Sequence, residues 1–185
     1  MNSEELIKVW DLPLRIFHWL LVVAFFVAFF TEDELLTVHV WAGYLVGGLL
    51  VFRLVWGFSG GQYARFSNFL CSPVQSIAYI KDLINSQAKR YIGHNPAGSA
   101  MIVLLILSLL MTFVTGLTVY GADQGAGPLY FIGDSYEDFF EKIHKLFSYL
   151  TLALVIIHVM GVVVESVIHR ENLARAMVNG SKRKP

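Results

Sequence analysis

The chain has 185 residues, of which 56% are hydrophobic and only 15% are charged, and its mean hydropathy is +0.59. A water-soluble domain of this length carries more charge, and the apolar residues fall in long blocks. The composition therefore indicates one integral membrane domain over residues 1–185, with lipid and not nucleic acid as its surroundings.

The first long apolar run predicts a spanning helix over about residues 13–30. Pro13 suits the first position of a helix, and His18 follows near the N-terminal end of the run. The run ends without the small-residue pattern of a signal-peptide cleavage site. We therefore expect this helix to be retained.

A very short acidic turn separates the first helix from the second, which is predicted at about residues 32–58. Thr31 and Glu34 have the spacing of a capping box at its start. Helices joined by so short a turn run antiparallel. His39 therefore lies near the membrane face opposite to that of His18.

Two glycines share the stripe of His39 on the second predicted helix. Gly43 and Gly47 follow the histidine by four and eight residues. Small residues on such a stripe allow close packing of membrane helices, and they also leave room for a flat cofactor beside its ligand. The two interpretations are compatible.

The longest polar connection covers about residues 58–95. Ser72 and Pro73 have the sequence of a helix start, and the apolar residues after them fall on one face. These residues are Val74, Ile77, Ile80 and Ile84. We expect this amphipathic segment to lie on the cytoplasmic membrane surface.

The second half of the chain predicts two more spanning helices. The third covers about residues 96–120 and contains no Asp, Glu, Lys or Arg, and Gly121 is expected to end it. The fourth covers about residues 135–169 and opens at Ser135. At roughly 52 Å it is longer than a bilayer is thick, so we expect its inner end to protrude.

The charges predict the orientation of these four helices. Of the fourteen Lys and Arg residues, only Lys142 and Lys145 lie on the side opposite to both termini. The other twelve mark the side of the termini as cytoplasmic. The sequence therefore predicts a multi-pass protein of the bacterial inner membrane with both termini in the cytoplasm.

Four histidines fall inside the predicted spans at two matching depths. On the fourth helix His144 and His158 are fourteen residues apart, which places them on one face and roughly 21 Å apart along the axis. By depth His158 matches His18, and His144 matches His39. This predicts two cross-helix histidine pairs stacked along the membrane normal.

Two imidazoles at each level fit the axial ligands of a six-coordinate haem iron. Zinc or copper would require more donors, and a proton-relay transporter would more often show acids among its histidines, where only Glu165 is present. Cys71 is the single cysteine, so any haem is bound without thioethers. For His94 and His169 we expect loop-anchoring and interfacial or solvated roles, respectively.

At these residues the sequence resembles the bacterial cytochrome b561 group and the related b-type cytochrome subunits of nickel–iron hydrogenases. The similar stretches cover nearly the whole chain and include the fourth helix with its two histidines. The others are Arg15-Ile-Phe-His-Trp19, His39-Val-Trp-Ala-Gly43, Arg53-Leu-Val-Trp-Gly57 and Gly93-His-Asn-Pro-Ala-Gly98.

The resemblance implies an all-α four-helix membrane bundle that holds two b haems, one on His18 and His158 and the other on His39 and His144. It also implies electron exchange between the quinone pool and a periplasmic partner, which would be a c-type cytochrome, a hydrogenase or another dehydrogenase subunit. Because its cytoplasmic connection, Phe58 to Asn95, is longer than in the simplest members, the chain looks nearer to the hydrogenase-subunit branch.

Two alternatives to this function stay open from the sequence. One is an oxidoreductase that acts alone, oxidising superoxide or another small reductant and reducing quinone, and the other is a haem-free transporter. Four basic residues are candidate neighbours of the haem propionates, and each is equally a candidate interfacial anchor. They are Arg15, Arg53, Lys142 and Lys145.

Overall fold

The computed structural model describes residues 5–32, 35–132 and 136–184. In chain order its elements are β1 (Leu6–Lys8), α1 (Leu12–Phe30), α2 (Leu36–Ser59), α3 (Phe66–Phe69), α4 (Pro73–Ile84), α5 (Pro96–Gln124), a 3-10 turn (Tyr130–Ile132), α6 (Glu137–Ile168), α7 (Leu173–Asn179) and β2 (Ser181–Arg183). The helices α1, α2, α5 and α6 are each long and apolar enough to cross a membrane. The predicted all-α fold with four spanning helices is confirmed.

The chain divides into two compact units. Unit 1 comprises Met1–His18, Arg53–Val103 and Ile156–Pro185, and unit 2 comprises Trp19–Phe52 and Leu104–Val155.

Unit 2 is held together by an apolar core and a hydroxyl contact between helices. The buried residues of this apolar core are Ala24, Phe25, Val46, Leu50 and Leu109. Because lipid is as apolar as leucine, such a core is stabilised by close packing and not by exclusion of water. Between α5 and α6 the hydroxyls of Ser108 and Thr151 lie 2.7 Å apart, a contact that contributes about 0.6 kcal/mol in a membrane.

Unit 1 joins the two ends of the described chain. Strands β1 and β2 pair antiparallel, with Leu6 opposite Arg183. Beside them Arg90 forms an ion pair of 2.9 Å with the buried Glu171, whose carboxylate also accepts from the backbone N–H of Arg183 at 3.0 Å. Burial alone would raise the pKa of Glu171, but these donors and the nearby Lys182 lower it. The segments next to both termini therefore lie together.

Helix α4 confirms the predicted helix start and the direction of its apolar face. Ser72 and Gln75 form a capping box around Pro73. Its buried residues are Ser76 and Tyr79, and Ser76 donates to the Pro96 carbonyl at 2.9 Å. The predicted apolar face points outward, since Val74, Ile77, Ile80 and Ile84 are all exposed.

Several predicted helix boundaries differ from the structure; α2, for example, begins at Leu36 and not at residue 32. Gly121 does not end its helix: α5 continues to Gln124, and Gly125 follows with a φ of +59°. Gly121 is needed for another reason, because a Cβ at this position would lie 2.8 Å from the backbone nitrogen of Tyr130. The fourth helix ends at Ile168, one residue before His169.

Two other predicted features involve residues outside the described ranges. They are the capping partner Glu34 and the helix start at Ser135. Thr31, the other member of that capping box, donates its hydroxyl to the Val27 carbonyl at 2.7 Å.

Candidate functional site

The structure brings the four membrane histidines together as two pairs. In unit 1 the rings of His18, on α1, and His158, on α6, have centroids 6.5 Å apart with an angle of 57° between their planes. In unit 2 the rings of His39, on α2, and His144, on α6, have centroids 6.0 Å apart at 79°. All four side chains are half-buried.

Both spacings suit a single ion between the rings. With metal–nitrogen bonds of about 2.0 Å, and each ring nitrogen about 1.1 Å from its centroid, two imidazoles on opposite sides of one ion have centroids about 6.2 Å apart. Aromatic rings that only pack edge to face cover the same range, so the spacing alone does not assign a ligand role. The hydrogen bonds of the rings in unit 2 give further evidence on that pair.

In the unit 2 pair, one nitrogen of each ring is held by a backbone carbonyl oxygen. The Nδ1 of His39 lies 2.8 Å from the Ala28 carbonyl oxygen, and the Nδ1 of His144 lies 2.9 Å from that of Thr112. A carbonyl only accepts, so each Nδ1 carries the proton and each Nε2 carries a free lone pair. A metal-binding histidine usually donates such a hydrogen bond from the ring nitrogen that does not bind the metal, because this bond sets the tautomer and orients the ring.

A cavity in unit 2, partly open to its surroundings, lies against this pair. His39, His144, Gly43 and Gly116 are among its lining residues. A Cβ at Gly43 would have no atom within 4 Å, so this glycine borders open space.

Two glycines in unit 2 have contacts that distinguish their roles. A Cβ at Gly47 would lie 2.3 Å from the Phe113 ring, so Gly47 allows α2 and α5 to pack and does not line the cavity. A Cβ at Gly116 would lie 2.8 Å from Cε1 of His144. Gly116, which was not predicted as a site residue, lets the His144 ring lie against α5.

The four predicted basic neighbours lie in different surroundings. Arg53 is only 3% exposed, donates to the Ala64 carbonyl at 3.2 Å, and has its guanidinium 4.7 Å from the centre of the Phe66 ring. Arg15 donates to the Val178 carbonyl. Lys142 and Lys145 are exposed and do not line the cavity, and Lys145 pairs with Glu141 at 2.6 Å.

The remaining histidines are not part of either pair. His94 has its ring centroid 4.6 Å from that of Trp10 and 4.8 Å from that of Phe69. Burial, followed by the charges of Arg53 and Lys182, lowers the pKa of His94 to about 3, so it stays neutral. This agrees with the loop-anchoring role expected for it.

His169 is less solvated than expected. Its side chain is 13% exposed, and its Nε2 lies 3.1 Å from Oε2 of Glu165. Glu165 also accepts a hydrogen bond from Tyr79 at 2.8 Å. The sequence shows no sign of this last contact, because 86 residues separate the two side chains.

Neither histidine pair belongs to a larger cluster of potential metal ligands among the described residues. In that part of the chain, no group of three or more His, Cys, Asp or Glu side chains could hold a metal ion.

Comparison with known proteins gives a consistent result over almost the full length. The family described as prokaryotic cytochrome b561 matches residues 9–180. A probable Ni/Fe-hydrogenase B-type cytochrome subunit of Rhizobium leguminosarum is 24% identical, with 97% of this chain and 90% of that protein covered. The similarly named protein of Azotobacter vinelandii is 26% identical at the same coverage. That of Escherichia coli K12, the subunit of hydrogenase 1, is 26% identical over 93% of this chain and 88% of its own length.

Proposed function

Because the chain belongs to the prokaryotic cytochrome b561 family, we propose that it transfers electrons across a membrane through two haem b groups, one for each histidine pair. Membership of the family makes the chain a membrane b-type cytochrome with noncovalent haem. The number of haems, their ligands and the redox partners are the proposed part.

The observation that carries the proposal is the arrangement of the pair in unit 2. The rings of His39 and His144 lie with their centroids 6.0 Å apart, and the Nδ1 of each is hydrogen-bonded to a backbone carbonyl oxygen. This leaves the Nε2 of each ring to bind the iron of one haem b, which the two histidines would hold between them. When bound, haem supplies one-electron redox chemistry.

The surroundings of the pairs fit a flat, largely apolar cofactor. Gly43 leaves open space beside the unit 2 pair, and Gly116 allows the His144 ring to stand against its helix. In unit 1 the buried Arg53 is the candidate partner for a haem propionate, because a carboxylate can offset the cost of keeping its guanidinium out of water.

We propose a periplasmic partner as electron donor and quinone as acceptor. The relatives' names assign them to nickel–iron hydrogenases, so a hydrogenase is the first donor to test, with a c-type cytochrome or another dehydrogenase subunit as the alternatives. The His39 and His144 site would then face the donor. The His18 and His158 site would exchange electrons with quinone.

Charge and strand pairing support the proposed orientation. The antiparallel pairing of β1 with β2 agrees with both ends of the described chain lying on one side of the membrane, as four crossings require. Twelve of the fourteen basic residues lie on that side in the sequence, which the positive-inside rule assigns to the cytoplasm. We therefore propose the inner membrane, with α4 on its cytoplasmic surface.

The test is the haem content and reactivity of the purified full-length protein. We expect two haem b per chain, visible in a reduced-minus-oxidised spectrum, and rapid reduction by a quinol analogue. For the haem content, His169→Gln is the control for variants of the paired histidines. It replaces a histidine that belongs to neither pair and should retain both haems. A protein without haem would refute the proposal and favour the alternative of a haem-free transporter. A haem-loaded protein that quinol does not reduce would refute the quinone assignment.

A further inference from the structure

Unit 1 contains a cluster of three titratable side chains that the proposed electron transfer does not use, two of them buried and the third, His169, half-buried. Tyr79, on α4, is 5% exposed and Glu165, on α6, is 9% exposed. The Tyr79 hydroxyl lies 2.8 Å from Oε1 of Glu165, and Nε2 of His169 lies 3.1 Å from Oε2. Keeping ionisable groups out of water costs free energy, so a buried cluster of them is a candidate functional site.

The hydrogen bonds of the cluster leave a place for one additional proton. The Tyr79 hydroxyl has a single proton but two acceptors, since it also lies 3.2 Å from the Lys89 carbonyl oxygen. Both contacts can be full hydrogen bonds only if Glu165 is protonated and donates to Tyr79, while Tyr79 donates to Lys89. When Glu165 is ionised, the Tyr79 hydroxyl must donate its proton to the Glu165 carboxylate, and its hydrogen bond to the Lys89 carbonyl is lost. The cluster therefore has one arrangement for each protonation state of Glu165.

Other charged and titratable groups lie around the carboxyl group of Glu165. The buried Lys182 is close enough for its charge to interact with Glu165. Burial, followed by the hydrogen bond to Glu165, raises the pKa of Tyr79, so the tyrosine keeps its proton. Tyr91 packs against Tyr79 with its ring centroid 5.6 Å away, and its carbonyl accepts from Lys182 at 3.4 Å.

Glu165 also lies in line with a proposed haem ligand. It follows His158 by seven residues on α6, which places it on the same face, about two turns or roughly 10 Å further along the helix. A negative charge gained at the site of His18 and His158 would act on this carboxyl through a medium of low dielectric. Protonation of Glu165 would compensate that charge.

We propose that Tyr79, Glu165 and His169 form a proton-binding site that takes up one proton when one electron enters the site held by His18 and His158. The electron comes from the donor protein. The proton comes from water by way of His169, at the end of α6, and forms an O–H bond on Glu165. When the electron leaves to quinone, the same O–H bond breaks and the proton is released. This inference rests on the proposed function.

The test is a spectroelectrochemical titration of the haem-loaded, full-length protein over a range of pH. For coupled uptake, the midpoint potential of one haem falls by up to about 59 mV for each tenfold decrease in proton concentration. We expect this dependence in the wild type and its loss in Glu165→Gln. Glu141→Gln is the matched control, because Glu141 is an acid of the same helix with 45% of its side chain exposed, and it should behave as the wild type.

Each outcome of this titration has one meaning. A wild-type potential that is independent of pH would overturn the inference and leave the proposed function intact. A dependence that persists in Glu165→Gln would also overturn it and assign the proton to another group, such as a haem propionate. Absence of haem would refute the proposed function and this inference with it.

A second measurement covers the case in which Glu165→Gln does not fold. The reduced-minus-oxidised infrared spectrum of the wild type should contain the C=O stretch of a newly protonated carboxyl group. In Tyr79→Phe that band should shift, because the carboxyl group loses its hydroxyl partner. Absence of the band, or an identical band in Tyr79→Phe, would overturn the inference. A cluster that only fastened α4 to α6 would move neither measurement.

Discussion

Replacing Gly116 with alanine should remove one haem and leave the other. The new Cβ would lie 2.8 Å from Cε1 and 3.1 Å from Nδ1 of His144, whereas carbon atoms in contact normally lie about 3.5–4.0 Å apart. The imidazole must therefore retreat by about 0.7 Å or more. Such a shift exceeds by several times the tolerance of about 0.2 Å in metal–ligand distances. It would also strain the 2.9 Å contact between His144 and the Thr112 carbonyl.

The expected loss of affinity for haem follows from the displacement of the His144 ring. Loss of the contacts that orient a ligand typically lowers the affinity for a metal group about 10–100-fold, or by about 1.4–2.7 kcal/mol. After washing with an excess of apo-myoglobin as haem acceptor, Gly116→Ala should retain one haem per chain. The unit 1 haem should be unaffected.

Gly48→Ala is the matched control for this substitution. Gly48 is an exposed glycine of α2, and a Cβ there would have no atom within 4 Å. The Gly48→Ala protein should retain two haems, and the alanine should stabilise the helix by up to about 1 kcal/mol relative to glycine. The reasoning is refuted if Gly116→Ala keeps both haems with an unchanged spectrum, because His144 would then not need the space that the glycine leaves.

Three further predictions concern the route of electrons, the attachment of haem and the stability of unit 1. His39→Ala or His144→Ala should abolish reduction by a membrane-impermeant periplasmic donor, while a quinol analogue still reduces the remaining haem in stopped-flow measurements; loss of quinol reactivity instead would reverse the proposed path. Acid acetone should extract all of the haem, and pigment left on the chain would contradict noncovalent binding. Glu171→Gln should lower the free energy of unfolding by about 1–3 kcal/mol at neutral pH. Because the pKa of Glu171 is lowered by folding, this difference should disappear as the pH falls through that pKa, and a difference independent of pH would argue against the ion pair.

The sequence predicted the features that depend on periodicity and on position along one helix. Apolar runs gave the four spanning helices, and the fourteen-residue spacing of His144 and His158 placed two histidines on one face of α6. Membrane depth then gave the partner of each, and the structure brings the same residues together. These predictions succeeded because helix geometry and bilayer thickness leave few alternatives.

The features that were missed depend on contacts between elements far apart in sequence. Gly116 has no local signal, because its role is set by the register of α5 against α6. The Tyr79–Glu165 hydrogen bond and the β1–β2 pair join segments whose contact no periodicity encodes. Gly121 misled the prediction for a related reason, since a glycine that ends a helix and one that admits a neighbouring backbone look the same in sequence.

The haem content of the four single histidine variants tests the central claim, the assignment of two ligand pairs, most directly. Each variant, from His18, His39, His144 or His158 to alanine, should retain one haem per chain. The spectrum of His18→Ala should match that of His158→Ala, and the spectrum of His39→Ala should match that of His144→Ala. If His18→Ala and His144→Ala instead lost one common haem, or if the wild type held a single haem, the pairing would be contradicted.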